Sequence, residues 1–168
     1  MSKIKIRRGV AGRQLVARLY RILEEVFNAR LERYISGRLE YTCINNTCIV
    51  YEASTGFTER NLVVLYMSSW IAIVVRGEVV PSITLADRIF REKGYRATII
   101  VGDKGVKAFL YGNDILPESI VEKHEPVDSI VAVVDSSDYE ILGFAKYNPR
   151  RRIYENIYDL GVYLRILG

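Results

Sequence analysis

The sequence predicts an α+β protein in two parts: an N-terminal antiparallel sheet with helices over residues 1–94, and a C-terminal small β-barrel over 95–168. Three observations predict it. Apolar residues between Leu15 and Tyr34 recur at three- and four-residue steps, the spacing of one helix face. Between Tyr41 and Ile83 the apolar runs shorten to strand length. After Gly94, short apolar runs alternate with Gly, Asn, Asp and Pro clusters at regular spacing, as in a small barrel. With 49% hydrophobic residues in 168, the chain can build its cores without a metal or disulfide staple.

Taken in order, Arg13 to Ile35 reads as one long amphipathic helix. Leu15, Leu19, Ile22, Leu23, Val26, Phe27, Leu31 and Tyr34 form its apolar stripe, Arg13, Arg18, Arg21 and Arg30 fall mostly outside it, and Gly37 stops it. Tyr41 to Ala53 is a hairpin turning at Asn45-Asn46, which sets Cys43 opposite Cys48. Two cysteines are too few for a tetrahedral zinc site. They are either two small buried apolar residues or a cross-strand disulfide. The second fits a hyperthermophile, toward which the single Gln and the many Ile, Val, Tyr, Arg and Glu lean.

Leu62 to Tyr66 and Ile71 to Val75 are further strands, with a turn near Ser68-Ser69, and Val79 to Ile83 continues the β region. Ser82 or Thr84 caps a helix from Leu85 to Lys93, which Gly94 ends. In the second part Arg96 to Val101 is a strand and Asp103-Lys104-Gly105 a turn. Val106 to Tyr111 is a strand leading to a turn at Gly112-Asn113. Ile130 to Val134, Ile141 to Tyr147, Ile153 to Tyr158 and Val162 to Ile166 complete the strands. Asp135-Ser136-Ser137-Asp138, Asn148-Pro149 and Asp159-Leu160-Gly161 separate them.

The formal net charge is +4, but its distribution decides more than its size. Residues 1–95 carry 15 Lys/Arg against 9 Asp/Glu, and residues 96–168 carry 9 against 11. The first 38 residues alone hold 10 basic and 3 acidic side chains, a concentration that fits a polyanionic partner. No apolar run approaches the roughly 18 residues of a membrane span. The basic start, Met1 to Arg8, leads into a polar-faced helix and not an apolar signal core, so a cytoplasmic protein is expected.

Signs of catalysis are few. There is no phosphate-binding Gly-x-x-x-x-Gly-Lys loop, no Gly-x-Gly-x-x-Gly fingerprint and no Gly-x-Ser-x-Gly elbow. The single histidine, His124, reads as a surface loop residue beside Pro126, and Asp135 with Asp138 as a tight turn. No catalytic residue, metal site or cofactor is assigned. The densest positive run is Lys146-Tyr147-Asn148-Pro149-Arg150-Arg151-Arg152, in an otherwise slightly acidic half. Three consecutive arginines cannot all point inward, and their forks match phosphate oxygens. Lys146, Arg150, Arg151 and Arg152 are therefore the expected RNA-binding residues, extended to Arg165 and Lys107 if neighbouring strands bring them close. Tyr147, Tyr154 and Tyr158 interleave with them as candidate base-stacking rings.

These residues sit among three ordered motifs. Phe109-Leu110-Tyr111-Gly112-Asn113-Asp114-Ile115-Leu116 resembles the signature of PUA domains, Ile141-Leu142-Gly143-Phe144-Ala145 their later strand motif, and Asp159-Leu160-Gly161-Val162-Tyr163-Leu164-Arg165 their closing motif. The whole chain resembles the archaeal type of the NIP-seven ribosome biogenesis family, which places an α+β domain before a C-terminal PUA domain. Ser82-Ile83-Thr84-Leu85-Ala86-Asp87 is similar to that family's junction. One departure is visible: where the family's strand motif often reads Gly-x-Gly, this chain has Gly143-Phe144-Ala145. The resemblance implies a non-catalytic factor of large-subunit pre-ribosomal RNA processing, with single-stranded U-rich RNA and ribosome-assembly proteins as partners. A protein-interaction adaptor, a tRNA- or translation-associated PUA protein and an RNA-modifying enzyme are the alternatives.

Overall fold

A computed structural model describes residues 5–53 and 70–161. The α+β class is observed, with an antiparallel N-terminal sheet and a mixed second sheet. The chain divides into two compact units. One is built from residues up to Glu25 and from Ala29 to Leu85, the other from Val26–Asn28 and from Ala86 onward.

The first unit contains a five-stranded antiparallel sheet in the order β1-β2-β3-β4-β5. Its strands are β1 (Ile6–Val10), β2 (Leu39–Ile44), β3 (Thr47–Glu52), β4 (Trp70–Val75) and β5 (Glu78–Pro81). The β2–β3 turn is at Asn45-Asn46, with Asn45 in the left-handed region at φ 55°. Cys43 pairs with Cys48 across the strands, and the two form a disulfide. Of the two readings open in the sequence, the covalent one is therefore found. Arg76 and Gly77, at φ 52° and 82°, turn β4 into β5, the geometry that matches the twist of paired strands. Strand β1 was not legible as a strand, because it is almost wholly exposed and two of its five residues are arginines. The strand expected at Leu62 to Tyr66 lies outside the described residues, as does the turn at Ser68-Ser69.

The long helix expected over Arg13 to Ile35 is shorter. Helix α1 (Arg13–Arg21) runs into a π-type turn over Ile22–Val26, and a separate 3-10 turn covers Leu31–Arg33. Between them Asn28 adopts φ 50°, a conformation that asparagine tolerates better than most residues, and the Ala29 N–H donates to Leu23 O at 2.8 Å. The apolar spacing misleads because burial continues through the break. Leu19, Leu23, Phe27, Leu31 and Tyr34 are all buried. Helix α2 (Ile83–Lys93) starts as expected at Ser82, whose Oγ accepts the Leu85 N–H at 3.0 Å.

The second unit's sheet has the order β10-β9-β8-β6-β7. Its strands are β6 (Thr98–Val101), β7 (Ile120–His124), β8 (Ile130–Asp135), β9 (Ile141–Asn148) and β10 (Ile153–Asp159). Strands β6 and β8 are parallel and the other pairs antiparallel. The barrel expected from the turn spacing is, among the described residues, an open sheet with β7 and β10 at its edges.

Residues 103–111, expected as a turn and a strand, instead form helix α3 (Asp103–Leu110). Two features explain the correction. Val106, Phe109 and Leu110 are spaced for one helix face, and all three pack on the core of Ile99, Val101, Ile115, Val131 and Val133. Gly105, read as a turn residue, is a contact residue, since a Cβ there would lie 2.9 Å from the Ser119 Cβ. Phe27 joins this unit's aromatic core, 6.1 Å from Phe90 and 6.2 Å from Phe144.

Gly143 sits where register shifts interrupt both neighbours of β9, and a Cβ there would lie 2.0 Å from the Tyr158 carbonyl oxygen. Ala145, where the PUA pattern often has a second glycine, is instead a fully buried core residue. Gly143→Ala is expected to destabilise the protein by roughly 3 kcal/mol or more, because backbone must move to admit the methyl group. Urea denaturation against the parent checks it, and a change below about 1 kcal/mol would contradict the close approach.

Candidate nucleic-acid interface

The arginine run lies at the turn from β9 to β10. Asn148 folds that turn. Its Oδ1 accepts the N–H groups of Arg150 at 3.0 Å and Arg151 at 3.1 Å. Its own carbonyl accepts the Arg152 N–H at 2.7 Å. Its Nδ2 donates to Glu155 Oε1 at 2.7 Å. Asn before Pro favours such a turn because the short amide mimics a backbone acceptor. Arg152 takes φ 55°, and all three arginines are exposed.

Their side chains do different things. Arg151 Nη1 lies 3.2 Å from Asp114 Oδ2 and 3.4 Å from Glu155 Oε1. Arg150 and Arg152 make no ion pair among the described residues. Arg151, grouped with them from sequence as an RNA ligand, is thus engaged within the protein. Lys146 is exposed on β9, in register with Glu155 on β10. Lys107 is on α3, 2.9 Å from Asp103 Oδ2, and that hydrogen bond raises its pKa. Arg165 lies outside the described residues.

A second turn is joined to the first. Helix α3 ends at Leu110, and Gly112 takes φ 85°. The Gly112 N–H then reaches Phe109 O at 2.8 Å, and the Asn113 N–H reaches Ala108 O at 3.0 Å. This turn is tied to β10 in three ways. Asp114 Oδ1 accepts the Asn156 N–H at 3.1 Å. Asn156 Nδ2 donates to Phe109 O at 3.0 Å. Ile115 and Tyr154 exchange backbone bonds of 2.8 and 3.0 Å. Gly161 packs on the same turn, since a Cβ there would lie 1.9 Å from Leu110 O.

Asp114 therefore holds both turns, one oxygen on the Asn156 backbone and the other on Arg151. These joined turns carry the exposed Arg150 and Arg152 on one side and, on the other, Tyr111, a residue 78% exposed. Tyr111, Asp114 and Asn156 were missed as functional residues, although two of the three stand inside the motif that carried the PUA resemblance. No spacing rule distinguishes a motif residue that orders a turn from one that packs.

Two of the three tyrosines expected to stack bases are buried. Tyr154 is 2% exposed, its hydroxyl donates to Val127 O at 3.0 Å, and its ring packs 5.1 Å from that of Tyr147. Tyr158 is buried as well. His124 is not a loop residue either. It ends β7, half-buried, its ring 5.4 Å from that of Tyr95 and its Nε2 3.0 Å from Glu122 Oε1 in poor hydrogen-bond alignment. Asp135 and Asp138 do cap a turn, accepting the N–H groups of Ser137 and Glu140. Among the described residues no three metal-ligating side chains converge, and no helix is long and apolar enough to cross a membrane.

The second unit thus combines a small open sheet, one helix packed on it and two interlocked turns bearing arginine and tyrosine. Residues 97–168 match the family described as UPF0113 PUA domain, and a PUA domain is present there. The whole chain is similar in fold to three archaeal structures. A hypothetical protein of Pyrococcus horikoshii OT3 is 14% identical with a TM-score of 0.61, covering 83% of this chain and 81% of its own. A conserved PUA domain protein of Thermoplasma acidophilum is 13% identical at 0.60, covering 96% and 100%. A PUA domain from Aeropyrum pernix K1, solved as a tartrate complex, is 10% identical at 0.62, covering 98% and 91%. Identities this low establish the shared fold. No curated protein sequence matches the chain significantly.

Two outcomes follow from the packing. Asp114→Ala leaves the Asn156 N–H without its acceptor and Arg151 with Glu155 alone, and is expected to cost about 1–2 kcal/mol, while Arg151→Ala, at an exposed pair, costs under about 1 kcal/mol. Denaturant titration of both variants checks the order. Burial chiefly, with the nearby Tyr147, Glu125 and Asp128, pushes the Tyr154 hydroxyl up to about 12. The folded state then holds this proton more tightly than the unfolded one. Stability is complete below the ordinary tyrosine pKa of about 10 and falls as pH rises toward 12. Thermal melts across that range should show the decline, and Tyr154→Phe should flatten it.

Proposed function

We propose that this protein is a non-catalytic RNA-binding factor of large ribosomal subunit biogenesis, which takes single-stranded U-rich RNA on its PUA domain. A PUA domain in itself points to RNA as the ligand. The observation that carries the reading further is the paired-turn face, where Asp114 anchors Arg151 and leaves Arg150, Arg152 and Tyr111 at the surface. Guanidinium forks suit phosphate oxygens, and an exposed ring suits an unpaired base. Lys146 borders this face and extends it, with Lys107 and Arg165 as outer contacts. The ribosomal assignment rests on the resemblance of the whole chain to the NIP-seven family. In this reading residues 95–168 form the RNA-binding domain, residues 1–94 engage ribosome-assembly proteins, and the protein works in the cytoplasm of an archaeon.

Arg150→Gln with Arg152→Gln is expected to weaken binding to a U-rich oligonucleotide roughly tenfold or more, with melting temperature unchanged. The slope of log K against log salt should fall by roughly 1.4, about 0.7 for each lost phosphate contact. Filter binding over a salt series measures both quantities, and an unchanged affinity overturns the assignment of the turn. Crosslinking in cells tests the pathway: large-subunit ribosomal RNA should dominate the recovered sequences. Recovery of tRNA in its place would reject ribosome assembly.

A further inference from the structure

The first unit carries its charge in an unusual arrangement. From Lys5 through Leu23 there is no acidic residue, and six basic ones occur: Lys5, Arg7, Arg8, Arg13, Arg18 and Arg21. All six are exposed. Lys5 immediately precedes β1, and the other five belong to β1 and α1, which Ala11 and Gly12 join. The Arg18 guanidinium is committed internally, donating to the Gly77 carbonyl. Among the described residues strand β1 is an edge of its sheet, so its basic side chains stand at a border.

Helix α1 continues the pattern. Leu19 and Leu23 point into the core. About a third of a turn away, Arg13 and Arg21 flank a shallow groove of about 630 Å³ floored by Val16, Ala17 and Tyr20. Small side chains at the centre and an aromatic ring beside two guanidinium groups suit unpaired bases attached to phosphates. A duplex has its bases covered and gains nothing from such a ring. Glu24 and Glu25 close the far end, and the Tyr20 hydroxyl is hydrogen-bonded to Glu32, so the positive surface stops at that ring.

We propose that β1 and the outer face of α1 form a second RNA contact, binding the phosphate backbone of a single strand through Lys5, Arg7, Arg13 and Arg21. It goes beyond the PUA assignment and does not depend on it. The opposing explanation is that basic residues on β1 only discourage edge-to-edge strand pairing.

The full-length triple variant Arg7→Gln, Arg13→Gln and Arg21→Gln separates the two. The probe is a U-rich oligonucleotide, read by filter binding from 50 to 300 mM salt. The contact predicts a salt slope lower by about 2 and an affinity lower on the order of 100-fold near 0.1 M salt. The charge-preserving triple Lys variant should keep the parent slope, which excludes misfolding as the cause. Combined with Arg150→Gln and Arg152→Gln, the slope losses should add. If the Gln triple leaves slope and affinity unchanged, the second contact is overturned, and aggregation of that variant would assign β1 to edge protection. If only the PUA double variant weakens binding, the PUA reading stands and this one falls. If only the N-terminal triple does so, the PUA reading falls and this one stands.

Discussion

Asp114 accepts from two parts of the chain that are 42 and 37 residues away. One oxygen takes the backbone N–H of Asn156, the other the guanidinium of Arg151, and Asn156 in turn reaches back to the end of helix α3. Three segments thereby become one rigid piece: the helix terminus, the glycine turn after it and the arginine hairpin. The shared carboxylate adds to the Ile115–Tyr154 backbone pair and the Asn156 amide in fixing the two exposed turns, which leaves less ordering to a ligand on arrival. The exposed ion pair by itself contributes little, but the bond to the Asn156 N–H satisfies a strand amide that would otherwise lack a partner.

Close backbone contacts make that arrangement possible. The Leu110 carbonyl touches Gly161 where no side chain could stand, and the Tyr158 carbonyl does the same at Gly143. Both contacts draw β10 and the residue after it toward α3 and β9. Nothing comparable is needed around Ala145, whose methyl group fills the core. The motif departure there exchanges close backbone approach for a small buried side chain, and the sheet accommodates it. In the first unit the corresponding constraint is covalent: the Cys43–Cys48 disulfide pins the hairpin one residue from its turn on each side.

Charge and fold are distributed differently along this chain. The PUA half is slightly acidic overall, and its densest positive run is the turn at Arg150 to Arg152. The first unit holds the excess of basic residues, arrayed on an edge strand and one helix. Under the two proposals above, a polyanion is recognised in the second unit by local geometry and attracted to the first by accumulated charge. The two mechanisms differ in salt dependence and in how sharply they select a ligand, so one chain can combine placement with capture.

Periodicity, turn chemistry and motif order determined a good deal by themselves. The Asn45-Asn46 hairpin, the Ser82 cap, the strands at Ile130, Ile141 and Ile153, and the PUA signature all depend on residues close in sequence, whose preferences are local. The reading failed where local preference was outweighed. Apolar spacing continued through the break at Asn28, because a buried stripe does not require an unbroken helix. Gly105 looked like a turn until strand β6 and Ser119 showed that it was a packing contact. Tyr154 and Tyr158 looked available because they neighbour arginines in sequence, and the sheet buried them. Above all, the sequence placed three equivalent arginines in one loop. Only the tertiary structure could divide them, since Asp114 and Glu155 reach Arg151 across folded distance and leave Arg150 and Arg152 to solvent.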